Sequence, residues 1–359
     1  MLYCENKVKF EKEIGYRTAG KKAPDDIAYF AEQYGAEIFN FKEVDLGGNK
    51  MLRMVKNTIV STDNWSRLSN KVQDNDIVIL QHPYEGLKLT KKSLDNIRKN
   101  KNVKFILFIH DLNSLRNDIE IEHSAKMKTL NSDAEISILS TVDYIICHND
   151  KMKKYIHDVI GIDESKIVCL ELFDYRHDCK LPEKRSFSKD VVIAGNLLKS
   201  KCGYLYNLFE SNDFDFKLHL YGPNFDETYK NDNVVYHGLL SPDELPGKLE
   251  GAFGLVWDGL EIDSCSGNAG EYIKYNNPHK CSLFLASNMP VIIWKQAALA
   301  SFVEENGVGI TVDSLRDIGK QIDKISVSEY NTMVENTKKV GVKLREGYYF
   351  KKAVSKVLK

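Results

Sequence analysis

The sequence has no long apolar run, no cysteine pair at metal or redox spacing and almost no net charge. Each lack excludes something. Without about 20 apolar residues in succession, no segment reads as a membrane-spanning helix. Residues 1–22 are interrupted by Lys, Arg and Glu and do not read as a secretory signal, so the chain is expected in the cytoplasm. A formal charge of -1 supplies no general attraction for nucleic acid, which is not an expected partner. The seven cysteines are odd in number and scattered without a CxxC, which argues against a disulfide framework and a structural zinc site. Free thiols are expected.

What is present is a chain of 359 residues, 43% hydrophobic and 28% charged, long enough for two ordinary globular domains. Short apolar runs alternate with longer amphipathic ones, the pattern of βα units in an α/β protein. Strands are expected at 36–41, 76–81, 103–110 and 142–148, with helices at 24–34, 50–68 and 88–100. The first strand is weak and reduces to residues 2–4. A charged stretch at 174–189 containing Pro182 reads as a linker. Beyond it, strands are expected at 190–194, 217–221, 234–237, 253–258 and 290–294, and helices at 200–210, 243–250, 278–287 and 297–306. After Asp313 the chain reads as helical. Two successive βα arrays place ligands outside the carboxyl ends of their strands, and two facing sheets make a cleft.

The most informative segment is Tyr275-Asn276-Asn277-Pro278-His279-Lys280. Asn277 suits an N-cap and Pro278 a first helical turn. His279 and Lys280 then put positive charge where the helix dipole favours an anion, a misfit that a bound diphosphate relieves; the alternative is that both side chains splay into solvent. Gly195 and Asn196 open a βα turn that ends near Lys199, a second candidate for phosphate approach, although such glycines often serve packing. Tyr221 ends a strand and offers an aromatic face or an ordinary turn. The long polar loop after residue 256, beginning with Asp258, suits a polyhydroxylated ligand. In the first half, His110 and Asp111 stand at a strand end, where either can serve as general base or Asp111 can cap a helix. Gln81 and the glycines Gly15 and Gly20 are weaker candidates for acceptor contact. The pairs Asp74/Asp76 and Asp213/Asp215 lie at the amino ends of strands and read as surface turns, so no metal is expected. The basic run Lys88, Lys91, Lys92, Arg98, Lys99, Lys101 and Lys104 can face an anionic membrane, or simply solvent.

The blocks 253–259, 265–268, 272–280, 282–286 and 290–294, together with 195–200, resemble bacterial β-1,6-galactofuranosyltransferases of polysaccharide synthesis. They are also similar to glucosyltransferases that extend glycans on streptococcal serine-rich adhesins. The similarity spans roughly 191–347 and is looser before it, where Ala19-Gly20, Lys22-Ala23 and His110-Asp111 are the main echoes. It implies a GT-B fold of two Rossmann-like domains facing across a cleft: an acceptor domain at 1–178, a nucleotide-sugar domain at 179–342, and a final helix at 343–359 packing back on the first. It implies a UDP-sugar co-substrate, with Lys199, Tyr221, Lys274, Asn277, Pro278, His279 and Lys280 as donor positions. Many retaining members carry two glutamates in the region corresponding to 277–294; their absence here favours inversion.

The expected function is therefore metal-independent, inverting transfer of galactofuranose or glucose to a glycan, lipid-linked or glycoprotein acceptor, with a homo-oligomer as a further partner. The rivals are a nucleotide-sugar epimerase and a non-catalytic partner subunit of a transferase.

Overall fold

The apolar runs of the first half become parallel strands in the computed structural model, which describes residues 1–9, 19–43, 50–84, 86–119, 125–211, 214–229 and 231–359. Two units divide these residues. Unit 1 holds those up to Glu171 apart from Ala19, together with Phe350–Lys359; unit 2 holds Leu172–Tyr349. Among the described residues no helix is long and apolar enough to cross a membrane.

Unit 1 is built on β1 (Leu2–Lys9), β2 (Glu37–Glu43), β3 (Ile77–His82), β4 (Lys104–Ile109), β5 (Tyr144–Cys147) and β6 (Ile167–Cys169), all parallel, in the order β2-β1-β3-β4-β5-β6. The connecting helices are α1 (Ala19–Gln33), α2 (Lys50–Lys71), α3 (Leu87–Asn100), α4 (Asn113–Ile119), α5 (Ala125–Thr141) and α6 (Asp150–Asp158). In β4 the run Phe105, Ile106, Leu107, Phe108, Ile109 has no exposed surface. A strand buried on both faces reads as a continuous apolar run, which is why it stood out in the sequence. By contrast β1 runs eight residues, not three, and pairs with both β2 and β3. Its polar residues Glu5, Asn6 and Lys7 hid it. Elements β6, α5 and α6 were not expected either; β6 is only three residues long. All seven cysteines are free, and Cys147 and Cys169 are register partners with sulfurs 4.0 Å apart.

Unit 2 has a second parallel sheet of β7 (Asp190–Ala194), β8 (Lys217–Tyr221), β9 (Val234–Tyr236), β10 (Phe253–Val256), β11 (Val291–Trp294) and β12 (Gly309–Val312), in the order β12-β11-β10-β7-β8-β9. Its helices are α7 (Gly203–Ser211), α8 (Gly267–Tyr272), α9 (His279–Ala286), α10 (Ala300–Asn306), α11 (Ile318–Asp323) and α12 (Val327–Arg345). The last helix, α13 (Tyr348–Val357), sends Phe350, Ala353, Val354 and Val357 into the core of unit 1, where Phe350 meets Phe108. Residues 243–250 are not the expected helix: only the single turn Leu245–Gly247 forms, because Pro246 and two nearby glycines, Gly247 and Gly251, oppose propagation. The strand β12 was likewise not expected.

The stretch 174–189 is tied to unit 2 by its own side chains. Buried Arg185 donates to four carbonyls, those of Ser287 (2.9 Å), Asn288 (3.1 Å), Leu249 (3.2 Å) and Gly251 (3.2 Å). His177 meets the Ala286 carbonyl at 3.0 Å and Tyr175 donates to that of Pro242 at 2.9 Å. A guanidinium with five donors can satisfy several loop carbonyls at once, so this charged segment packs where composition suggested a solvated tether. Burial lowers the Arg185 pKa to about 10, which still leaves it charged at neutral pH.

Candidate functional site

In an open parallel sheet, ligands gather outside the carboxyl ends of the strands where the strand order reverses. In unit 2 the reversal is at β7, flanked by β8 on one side and β10 on the other. The residue after β7 is Gly195, at φ 144°, and nothing lies within 4 Å of where its Cβ would stand. Backbone can be approached closely there. Gly222, after β8, is needed for a different reason: a Cβ on it would collide with the Gly195 carbonyl. The Asn196 side chain accepts from the Leu198 N–H (3.1 Å) and from Asn224 (3.0 Å), which shapes the turn.

The residues after β10 meet the start of α9. Lys280 Nζ donates to the Trp257 carbonyl at 2.9 Å and to Asp258 Oδ1 at 2.7 Å. Burial opposes its charge, but the Asp258 carboxylate outweighs burial and raises the lysine pKa. The charge misfit seen in the sequence is thus answered within unit 2 by Asp258. An ammonium has three donors, and two are spent on these partners, so the third is available to a ligand oxygen. The N-cap of α9 is Pro278, at φ -59° and ψ 124°, not Asn277; Pro278 has no side-chain acceptor and Asn277 is buried one residue earlier. The His279 ring packs 5.0 Å from Tyr175 and 5.9 Å from Phe173.

The remaining donor candidates are engaged with neighbours. Lys199 reaches Tyr229 Oη at 2.9 Å and Glu210 at 3.4 Å, and is more than half exposed. Lys274 pairs with Glu271 at 2.6 Å and lies over the Trp294 ring. Tyr221 is buried, stacked on His237 and hydrogen-bonded to the Lys248 carbonyl, so its ring face packs inside the unit.

In unit 1 the order reverses between β1 and β3. Gln81, near the end of β3, is the centre of a buried network. Its amide nitrogen donates to the Glu5 carbonyl (2.6 Å) and the Pro24 carbonyl (3.2 Å), and its Oε1 meets His110 Nε2 at 2.6 Å. Glu5 accepts from the Gln81 N–H at 2.9 Å and from the Tyr84 hydroxyl, and burial pushes its carboxyl pKa up. Lys7 donates to the carbonyls of Gln81 (2.8 Å) and Pro83 (2.6 Å). Because the Gln81 amide is oriented by its two donated bonds, its oxygen faces His110, which must carry its proton on Nε2. The other ring nitrogen is buried. Asp111 is partly exposed and forms an ion pair with Arg116 at 3.2 Å. Gly20 lies in the first turn of α1 with open space around it, and Gly15 falls outside the described residues. Of the acidic pairs, Asp76 holds the Met1 ammonium at 2.6 Å, Asp74 accepts from the Asn102 N–H at 2.7 Å and Asp215 pairs with Lys189 at 2.7 Å, while Asp213 falls outside the described residues.

Beneath this network, His82 Nε2 and Glu135 Oε1 meet at 2.6 Å with both side chains buried, and Glu135 also accepts from the N–H groups of Asn113 (3.1 Å) and Ser114 (2.6 Å). Burial alone would raise the Glu135 pKa, but the bonds from His82 and Ser114 hold it below the ordinary 4.5. A depressed native pKa gives stability that is present above the unfolded value and is lost as pH falls through the native one. Unit 1 is expected to weaken from about pH 4.5 downward. Glu135→Gln should cost about 2 kcal/mol at neutral pH and flatten that acid slope, read by urea unfolding across pH. An unchanged slope in the variant would assign the acid sensitivity to other carboxylates.

Sequence reasoning missed Glu5, Lys7, Tyr84, Trp257 and Glu135 as members of these groups. Trp257 acts through its carbonyl, which no side-chain pattern reports.

The model of the glucosyltransferase 3-like N-terminal domain matches residues 10–172, and that of the C-terminal domain matches 191–357. The beta-1,6-galactofuranosyltransferase WbbI of Escherichia coli K12 is 31% identical, over 99% of this chain and 98% of that one. Glucosyltransferase 3 of Streptococcus gordonii is 26% identical over 92% of each chain. In fold, sucrose-phosphate synthase from Thermosynechococcus elongatus superposes with a TM-score of 0.66 at 11% identity, covering 99% of this chain and 98% of that one. The two doubly wound units are of the expected GT-B class.

Proposed function

The chain belongs to the glucosyltransferase 3-like family, and from that membership we propose that it is an inverting hexosyltransferase moving a sugar from a UDP-hexose to a glycan acceptor. Glycosyl transfer follows from the family; the donor nucleotide, the sugar and the stereochemistry are our reading. What carries it is the strand reversal of unit 2, where open Gly195 and the spare N–H of Lys280 suit the oxygens of a diphosphate. The start of α9 adds its dipole, so this reading needs no metal at the diphosphate. Asn196, Lys199, Lys274 and the 277–280 block complete the proposed donor site.

Unit 1 takes the acceptor, with Gly15 and Gly20 among its contacts and Gln81 supporting the site from below through His110. Asp111 accepts the proton of the acceptor hydroxyl as that oxygen attacks the anomeric carbon and the bond to the diphosphate breaks. Within the basic run, Lys91 pairs with Asp95, Arg98 with Asp143, and Lys101 with two carbonyls. Lys88, Lys92, Lys99 and Lys104 are exposed and suit contact with the cytoplasmic face of a membrane bearing a lipid-linked acceptor. A homo-oligomer is part of the same proposal.

UDP-galactofuranose is the first donor to test, because the relative matching 99% of the chain is named for that sugar. It or UDP-glucose is expected to raise Tm and to yield product of inverted configuration. Epimerised nucleotide sugar without transfer would select the epimerase instead; donor binding without turnover would select the partner subunit.

A further inference from the structure

We propose that His219, His237 and Glu250 of unit 2 bind a divalent transition metal of the zinc type, which clips edge strand β9 to β8 and to the approach to β10. His219 is the third residue of β8, His237 directly follows β9, and Glu250 precedes β10. Among the described residues, these three each offer a ligand atom, and those atoms lie within 4.8 Å of one another. His219 Nδ1 and His237 Nε2 are 3.0 Å apart. Ligand atoms at ~2.1 Å around a tetrahedral ion stand ~3.4 Å from one another, so the two imidazoles are already near ligand spacing.

A hydrogen bond between the rings accounts for that single distance but not for what surrounds it. His219 is 5% exposed, and its Nε2 is buried without a hydrogen bond. Orphaned polar atoms of this kind are costly in a core. Asp190 Oδ2 lies 3.9 Å away on that side. When Nδ1 gives its lone pair to a metal, Nε2 must carry the proton, and a carboxylate beyond it is the usual outer partner of a metal-bound histidine. The second ring is held as firmly: Tyr221 stacks on His237 with centroids 4.3 Å apart and planes 2° from parallel. The Tyr221 hydroxyl also accepts the Glu250 backbone N–H at 3.0 Å, which links the third ligand to the same support.

Two imidazoles and one carboxylate select zinc, cobalt or nickel over magnesium or calcium, and leave a fourth position for water. Asp190 and Glu250 belong to the amino ends of β7 and β10, opposite to Gly195 and Asp258. The ion therefore bears on the stability of unit 2 and not on sugar transfer.

The test uses the full chain after dialysis against a chelator. Co2+ is expected to bind stoichiometrically with the visible absorption of a four-coordinate site, and Zn2+ to displace it and raise Tm by several degrees, while Mg2+ does neither. His237→Ala should abolish the absorption. Glu250→Gln, which alters only the exposed ligand and spares the folded core, should weaken Co2+ binding at least about tenfold. Equal affinity in both variants, a sulfur-to-cobalt charge-transfer band, or no bound cobalt overturns the proposal.

Discussion

Asp111→Asn is expected to lower kcat by about 10³-fold while leaving the affinity for the UDP-sugar unchanged. His110 and Asp111 are adjacent, and the sequence offered no means of choosing between them. The surroundings of the two side chains favour Asp111 for this proposed role. His110 is committed through Nε2 to the Gln81 amide oxygen, and its second ring nitrogen is buried. Asp111 is partly exposed, with Arg116 as its ion-pair partner. A general base must have a lone pair that can reach the proton it removes; Asp111 offers carboxylate oxygens, whereas His110 has one ring nitrogen bonded to Gln81 and the other buried. Arg116 would then hold the carboxylate in place. Single-turnover kinetics with saturating donor separates chemistry from binding. Full activity in the asparagine variant would pass the role to another group, and His110→Asn would be the next substitution to measure.

Lys280→Ala is expected to reduce kcat by about 10²–10³-fold, the usual consequence of losing one group that stabilises developing negative charge. Two causes can produce that loss. The lysine is a donor to the departing diphosphate in the proposed reaction, and it also neutralises Asp258, so its removal leaves a bare carboxylate beside an anionic ligand. The double variant Lys280→Ala/Asp258→Ala distinguishes them. Recovery of most of the activity assigns the loss to the orphaned carboxylate; a persistent defect assigns it to the missing ammonium. Unchanged turnover in the single variant removes Lys280 from the mechanism.

The strands legible in the sequence are those buried on both faces, such as β4 and β10, because their apolar runs are continuous. β1 was nearly invisible for a related reason. The middle of the strand carries Glu5 and Lys7, which serve the network around Gln81, and polar residues placed for a site erase the pattern that betrays a strand. The start of α9 was legible through Asn277 and Pro278, although one residue out of register. What composition could not disclose was pairing across distance. Nothing in the spacing of Asp258 and Lys280 announces that they meet, and the same holds for His219, His237 and Glu250, which lie on three separate segments. Charge along the chain was equally silent about Arg185, whose partners are backbone carbonyls.

The burial of Phe350, Ala353, Val354 and Val357 in unit 1 has a bearing on biogenesis. The sheet of unit 1 leaves the ribosome first, yet its core is sealed by residues translated long afterwards. In that interval the surface around Phe108 stands uncovered, open to a chaperone or to another nascent chain. Order of emergence and order of completion are reversed in this protein, so a chain cut before Phe350 would lack the last part of the unit 1 core.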